Sequence, residues 1–304
     1  MRLVYFSITA DGAPRLGVET PLGIMEAETV CRLYCLSHSV EISALPGSPL
    51  EYLNADDSVQ ILLRKASDWA MDNDSEYPTV LSSADRVTLL APIPRPGKII
   101  CVGHNYRDHC VEQNAPIPKE PVIFAKFPSC VQYPGADVVR PAVTREMDYE
   151  AELGVVIGRA ARNVTREDAL DYVGGYVNLN DVTARDLQRR DTQWIRAKSA
   201  DTFAPMGPCL VTPEDFNDPQ EKKIQMRLNG KVMQDSNTSE MIFSVARLIE
   251  YISQFTTLEP GDVIATGTPP GVGGHREPPV FLDGGDVMEV EVEGLGVLRN
   301  TVRV

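Results

Sequence analysis

The sequence predicts a β-dominated α+β protein, with a small N-terminal α+β domain over residues 1–91 and a larger β-rich domain over 98–304. Three observations carry this reading. From Lys98 onward the chain is mostly short apolar runs broken by glycine and proline, and helical periodicity is confined to brief segments. Between the two parts lies Ala91-Pro92-Ile93-Pro94-Arg95-Pro96-Gly97, which continues neither a helix nor a central strand. Many short strands with few helices argue against a doubly wound nucleotide fold.

Taken in order, residues 1–8 read as a strand, and 15–19 with 23–26 as a small meander. Val59, Leu62, Leu63, Ala66, Trp69 and Ala70 recur at helical spacing over 57–71. Past the proline segment, strands are expected at 98–102, 122–126, 150–157, 173–180, 223–228, 263–265 and 287–292. Helices are expected at 166–172, 183–190 and 244–255. There is no Walker loop, and Gly271-Val272-Gly273-Gly274 lacks the spacing and setting of a dinucleotide fingerprint.

Composition narrows the function classes. With 43% hydrophobic and 24% charged residues in 304, the chain reads as an ordinary globular protein. Its 43 acidic against 29 basic side chains, a formal charge of -14, argue against nucleic acid or an acidic membrane surface as a partner. Cys31, Cys35, Cys101, Cys110, Cys130 and Cys209 are scattered with no CxxC pair, which points to a reducing compartment. Cys31 and Cys35 read as buried thiols on a helix rather than as a redox pair. No apolar run approaches the roughly 20 residues that span a bilayer, and no signal peptide opens the sequence. An intracellular setting is expected: the mitochondrial matrix if a presequence has been trimmed, the cytoplasm otherwise.

Asp148, Glu150 and Glu152 alternate with Tyr149, Ala151 and Leu153, so the three carboxylates share one face of a strand. Like charges at neighbouring positions on one face repel, and a bound cation relieves this. A solvated amphipathic strand gives the same alternation. Asp181, after the apolar run 173–180, tips the reading toward a magnesium-type site, because hard cations take carboxylate oxygens. Glu150, Glu152 and Asp181 are therefore the candidate metal ligands.

His109 and Glu112 stand three apart, so on a helical turn the carboxylate can orient the imidazole as a general acid-base pair. A surface helix with an incidental histidine is the alternative. Lys198 could hold an anionic substrate or stabilise an enolate, and Arg185 and Gln188 follow Asp181 on a short helix from which they could reach the same ligand. The glycine-rich loop after Ile264-Ala265, with Thr268, can cradle a carboxylate or be only a tight turn.

Together these segments resemble the fumarylacetoacetate hydrolase family, and in detail its domain-containing animal branch. The resemblance covers about the last two-thirds of the chain: 103–112, Phe124-Ala125-Lys126-Phe127, 148–153, Asn180-Asp181-Val182-Thr183-Ala184-Arg185-Asp186, Lys198-Ser199, 230–236 and Thr266-Gly267-Thr268-Pro269-Pro270-Gly271-Val272-Gly273. It implies a mixed β-roll or β-sandwich catalytic domain in a homodimer, with magnesium, manganese or calcium on Glu150, Glu152 and Asp181. It further implies a lid carrying His109 and Glu112, active-site roles for Lys198 and Gln188, and contacts to a small 2-oxo dicarboxylate from Thr268, Arg185 and Lys126. One departure is Thr192, where some family hydrolases carry a tyrosine. Oxaloacetate keto-enol tautomerisation is the expected reaction; acylpyruvate-type carbon-carbon hydrolysis and oxaloacetate decarboxylation are the alternatives. A degenerate member that only binds a dicarboxylate or metal is the non-enzymatic rival.

Overall fold

Arg2–Ser7 buries Leu3, Val4 and Phe6, and this apolar strand seeds a sheet that runs through most of the molecule. The computed structural model describes residues 1–9, 12–41, 44–73, 81–83 and 86–304. Hydrogen-bonded neighbours in the large sheet run in the order Leu81–Ser82, Gly23–Glu26, Arg15–Thr20, Arg2–Ser7, Ala204–Val211, Val173–Asn180, Ala151–Ile157, Val263–Ala265, Ile99–Gly103 and Val122–Lys126. Most of these pairings are antiparallel, but Val263–Ala265 meets Ile99–Gly103 in parallel. The proline segment 91–97 carries neither strand nor helix, yet the sheet crosses it, because Arg2 pairs with Val211 and Leu3 with Leu210.

A second sheet joins Lys231–Asn237, Lys223–Leu228, Val287–Val292, Val297–Arg303 and Asp137–Val139. Its strands keep period-two alternation: Ile224, Met226, Met288 and Val290 are buried, while Arg227 pairs with Glu289 and Glu291 outside. Asn178 ties the two sheets together, its side chain accepting from Val292 N at 2.7 Å and donating to Gly296 O at 2.9 Å. The β-dominated architecture matches the expectation.

The helices differ more. Asp57–Asp72 and Val245–Phe255 form as expected, the latter capped by Ser244, whose Oγ accepts from Arg247 N. The expected helix at 166–172 is one 3₁₀ turn, Ala169–Tyr172. Ala27–His38 is a helix that periodicity did not single out, and Cys31 and Cys35 are buried on it as free thiols. Burial pushes the Cys31 thiol up to about 12.

The acidic strand requires a correction. Regular pairing begins at Ala151, and all seven residues of Ala151–Ile157 are buried, so neither face is solvated. Met147–Asp148 forms a separate two-residue ladder with Thr183–Ala184. Asp148 therefore lies outside the regular strand that carries Glu152, and Arg185, Gly273 N and Gly274 N hold its carboxylate.

Candidate active site

Two central strands build the floor. Ala151 pairs with Asn180, which sets Glu152 beside the turn that follows Val173–Asn180, and Asp181 N donates to Glu150 O at 2.9 Å. Glu150 N donates to Asn180 Oδ1 at 3.0 Å. These bonds bring one carboxylate oxygen each from Glu150, Glu152 and Asp181 within 4.8 Å of one another, with all three residues buried.

Burying three carboxylates together requires compensation. Lys198 Nζ lies 2.6 Å from Glu150 Oε2 and 2.8 Å from Asp181 Oδ2. Lys126 Nζ lies 2.6 Å from Asp181 Oδ1 and donates to Val182 O at 3.2 Å. Arg185 bridges Glu150 Oε1 at 2.7 Å and Asp148 Oδ2 at 2.8 Å. Against the upward push of burial, Lys198 and Arg185 hold the Glu150 carboxyl down to about 2. Burial pulls the Lys198 ammonium toward neutrality, but Asp181 and Glu150 overcome this and keep it charged.

Glu152 differs from its two neighbours. Among the described residues its carboxylate meets no basic side chain and only accepts from Gly267 N, at 2.8 Å. Burial, then Asp181, then Glu150 push its carboxyl well above the ordinary range. The site is therefore short of positive charge at Glu152, and an all-oxygen donor set of this kind suits a hard divalent cation. The residues present fit such an ion.

Above the floor lies a cavity of about 270 Å³, lined by Glu150, Glu152, Arg185, Gln188, Lys198, Thr268 and, on other walls, Phe124, Trp194, His104, His109 and His275. His109 sits on the short helix Arg107–Glu112. Its Nδ1 bonds Glu112 Oε2 at 2.9 Å and its Nε2 meets Gln113 Nε2 at 2.5 Å. Glu112 also accepts from Gly271 N at 2.8 Å, tying this helix to the glycine-rich loop. After the upward push of burial, the bonds from His109 and Gly271 leave the Glu112 carboxyl below its ordinary value.

The remaining expected residues fall into two groups. Gln188 lines the cavity and accepts from Arg185 at 3.0 Å, and Thr268 lines it with its hydroxyl donated to Ala151 O at 2.9 Å. Lys126 lies behind Asp181, fully buried, and is not among the lining residues. Asp148, expected on the acidic face but not among the candidate ligands, has a carboxylate that accepts from Gly273 N and Gly274 N at 2.8 Å each as well as from Arg185. The sequence singled out none of His104, His275, Gln113 and Trp194. The available signal was numerical: three of the chain's four histidines converge here.

A model of the fumarylacetoacetate (FAA) hydrolase C-terminal family matches residues 98–303, the segment that contains every residue of this cavity. The chain belongs to the fumarylacetoacetate hydrolase family. Relatives within it extend the match beyond that segment. The mitochondrial oxaloacetate tautomerase FAHD2A of Bos taurus is 42% identical over 308 residues, covering 99% of this chain and 91% of the relative. The oxaloacetate tautomerase YisK of Bacillus subtilis is 43% identical over 267 residues, covering 86% of this chain and 88% of its own length. Among solved fumarylacetoacetate hydrolase structures, that from psychrophilic Exiguobacterium antarcticum superimposes with a TM-score of 0.82 at 36% identity, over 100% of this chain and 99% of the other.

Proposed function

We propose that the protein is a divalent-cation-dependent enzyme that interconverts the keto and enol forms of oxaloacetate. The observation that carries this is His109, bonded to Glu112, in the wall of a small cavity floored by Glu150, Glu152 and Lys198, with Asp181 directly behind Lys198. The names of the Bos taurus and Bacillus subtilis relatives support the same reaction. A volume near 270 Å³ lies at the lower end of ligand pockets and suits a small acid.

A magnesium, manganese or calcium ion held by Glu150, Glu152 and Asp181 would polarise the carboxylate and keto oxygens of a 2-oxo acid. The chain's own residues do the rest. Glu112 accepts the Nδ1 proton of His109, which leaves the lone pair on Nε2. That nitrogen, once released from Gln113, takes a proton from carbon 3 of the keto acid, and the imidazolium returns it to the oxygen on carbon 2. The reverse transfers convert enol to keto. Lys198, fixed by two carboxylates, stabilises the negative charge on that oxygen without exchanging its own proton. Thr268 meets the substrate carboxylate by turning its hydroxyl from Ala151 O, and Gln188 is steadied for binding by Arg185. Lys126 acts from behind, positioning Asp181.

Hydrolysis is the second reading, favoured by the 36% identical hydrolase structure. It needs a water beside His109 and room for a longer acyl chain. Ultraviolet decay of fresh enol-oxaloacetate, with and without chelator and followed by a pyruvate assay, decides between the readings. Accelerated, metal-dependent decay without pyruvate is expected. Pyruvate formation would indicate decarboxylation, and activity only on acylpyruvates would indicate hydrolysis.

A homodimer belongs to the same proposal. Val122–Lys126 is the terminal strand of the large sheet, and Val111, Ile117, Val122 and Phe127 are exposed along or near it, an edge that a second copy can cover. Light scattering would give twice the 33.4 kDa chain mass. In a eukaryotic host the mitochondrial matrix is the proposed compartment, supported by the name of the Bos taurus relative.

A further inference from the structure

His104 and His275 each stand 6.4 Å, ring centroid to ring centroid, from His109. All three line the cavity, but their bonding differs. His109 is engaged on both nitrogens, whereas neither ring nitrogen of His104 or His275 is hydrogen-bonded among the described residues. His104 Nδ1 is shut off from solvent, which leaves the unbonded Nε2 as the nitrogen open to the cavity, and His275 is exposed at the cavity's edge.

The two rings are also deliberately held. His104 has φ 53°, a left-handed conformation uncommon outside glycine. The next residue pins it: Asn105 Nδ2 donates to Thr266 O at 2.7 Å and Phe243 O at 3.0 Å, and its Oδ1 accepts from Phe243 N at 2.8 Å. His275 ends the turn Gly273–His275, whose first two amides are clamped by Asp148. Burial lowers the affinity of both imidazoles for a proton, with His109 adding to this at His104 and Arg185 at His275. A neutral His104 with its proton on Nε2, and His275 in either tautomer, then has an N–H free to point at a ligand.

The cations of the wall are already occupied. Lys198 and Arg185 are bonded to Glu150, Asp181 and Asp148, and Arg189 is paired with Glu146. A 2-oxo dicarboxylate seated with its keto acid end on the triad and carbon 3 beside His109 places its second carboxylate one carbon further on, next to the same imidazole. His104 and His275 are the neighbours of that imidazole. We infer that His104 and His275 donate hydrogen bonds to the distal carboxylate of the substrate and thereby select 2-oxo dicarboxylates over 2-oxo monocarboxylates. This rests on the tautomerase reading for the orientation of the substrate.

Oxaloacetate and 2-oxobutanoate share a four-carbon skeleton and differ only in the distal carboxylate, so the ratio of their dissociation constants reads this contact directly. Calorimetry on the magnesium-loaded full chain, with H104A, H275A, the double variant and the two glutamine variants, gives that ratio. The wild type prefers oxaloacetate, and each alanine variant loses about tenfold of the preference, the worth of one hydrogen bond to a charged group. Nearly all of the loss falls on oxaloacetate, and glutamine, which keeps an N–H, restores part of it. A wild type with no preference, an unchanged ratio in the double variant, or equal weakening of both ligands would each overturn the inference. Turnover on the same samples separates the two claims: a wild type that prefers oxaloacetate without tautomerising it refutes the reaction and leaves the histidine pair standing.

Discussion

Burial, Asp181 and Glu150 all oppose a negative charge on Glu152, and no basic side chain among the described residues is bonded to it, so its substitution separates cation binding from folding. Glu152→Gln keeps an acceptor for Gly267 N while removing the charge. The metal-free variant should melt no lower than metal-free wild type, and the rise in Tm that manganese gives the wild type should disappear. A Tm rise retained in the variant would remove Glu152 from the ligand set. Lys126 behaves in the opposite sense. Its Nζ is wholly buried against Asp181, so Lys126→Met leaves Asp181 Oδ1 and Val182 O without their donor, with Lys198 still on Asp181 Oδ2, and should cost about 1–3 kcal/mol in denaturant unfolding. For His109→Ala, kcat should fall by about 10²–10⁴ while the calorimetric affinity for magnesium is preserved. Unchanged kcat would take the proton transfer away from His109.

At the scale of elements, the glycine-rich loop does more than turn the chain. Gly271 has φ 101°, and a Cβ there would lie 2.1 Å from Met233 O, so no L side chain is accommodated without moving backbone. Its amide also holds Glu112. Gly271→Ala should therefore lower stability by about 1–3 kcal/mol or more and reduce turnover together, the first read by denaturant midpoint and the second by enol decay. A variant stable and active as wild type would show that the loop adjusts freely. Much of this was legible beforehand. Strands 122–126, 173–180, 223–228, 263–265 and 287–292 were bounded as observed, because each is an apolar or alternating run between clear breakers. Ala204–Val211 was not expected, since Pro205, Gly207 and Pro208 are strand breakers and only pairing with Arg2–Ser7 and Val173–Asn180 makes it a strand. In the site, Glu150 and Glu152 were visible through period-two spacing and Asp181 through its place after the apolar run 173–180. Asp148 was misplaced because alternation says nothing of where a strand breaks, and His104 and His275 carry no spacing signal, being 171 positions apart (275 − 104).

For the molecule as a whole, we propose that 1–91 and 98–304 are two units in sequence that share one sheet. Leu3 and Val4 are buried, and Arg2–Ser7 covers the edge of Ala204–Val211. A fragment of 98–304 should therefore unfold at lower temperature than the full chain and aggregate through the bared strand, with recovery when 1–91 is supplied in trans. A fragment as stable and monodisperse as the full chain would show the units to be independent. The same pairing sets a schedule for synthesis. Arg2 leaves the ribosome more than two hundred residues before its partner Val211, an interval of roughly 10–40 s at ordinary elongation rates. Throughout that wait the first strand has no neighbour on that side, so nascent chains should depend on chaperones, and slowed translation between the two strands should lower the soluble yield without altering the finished enzyme.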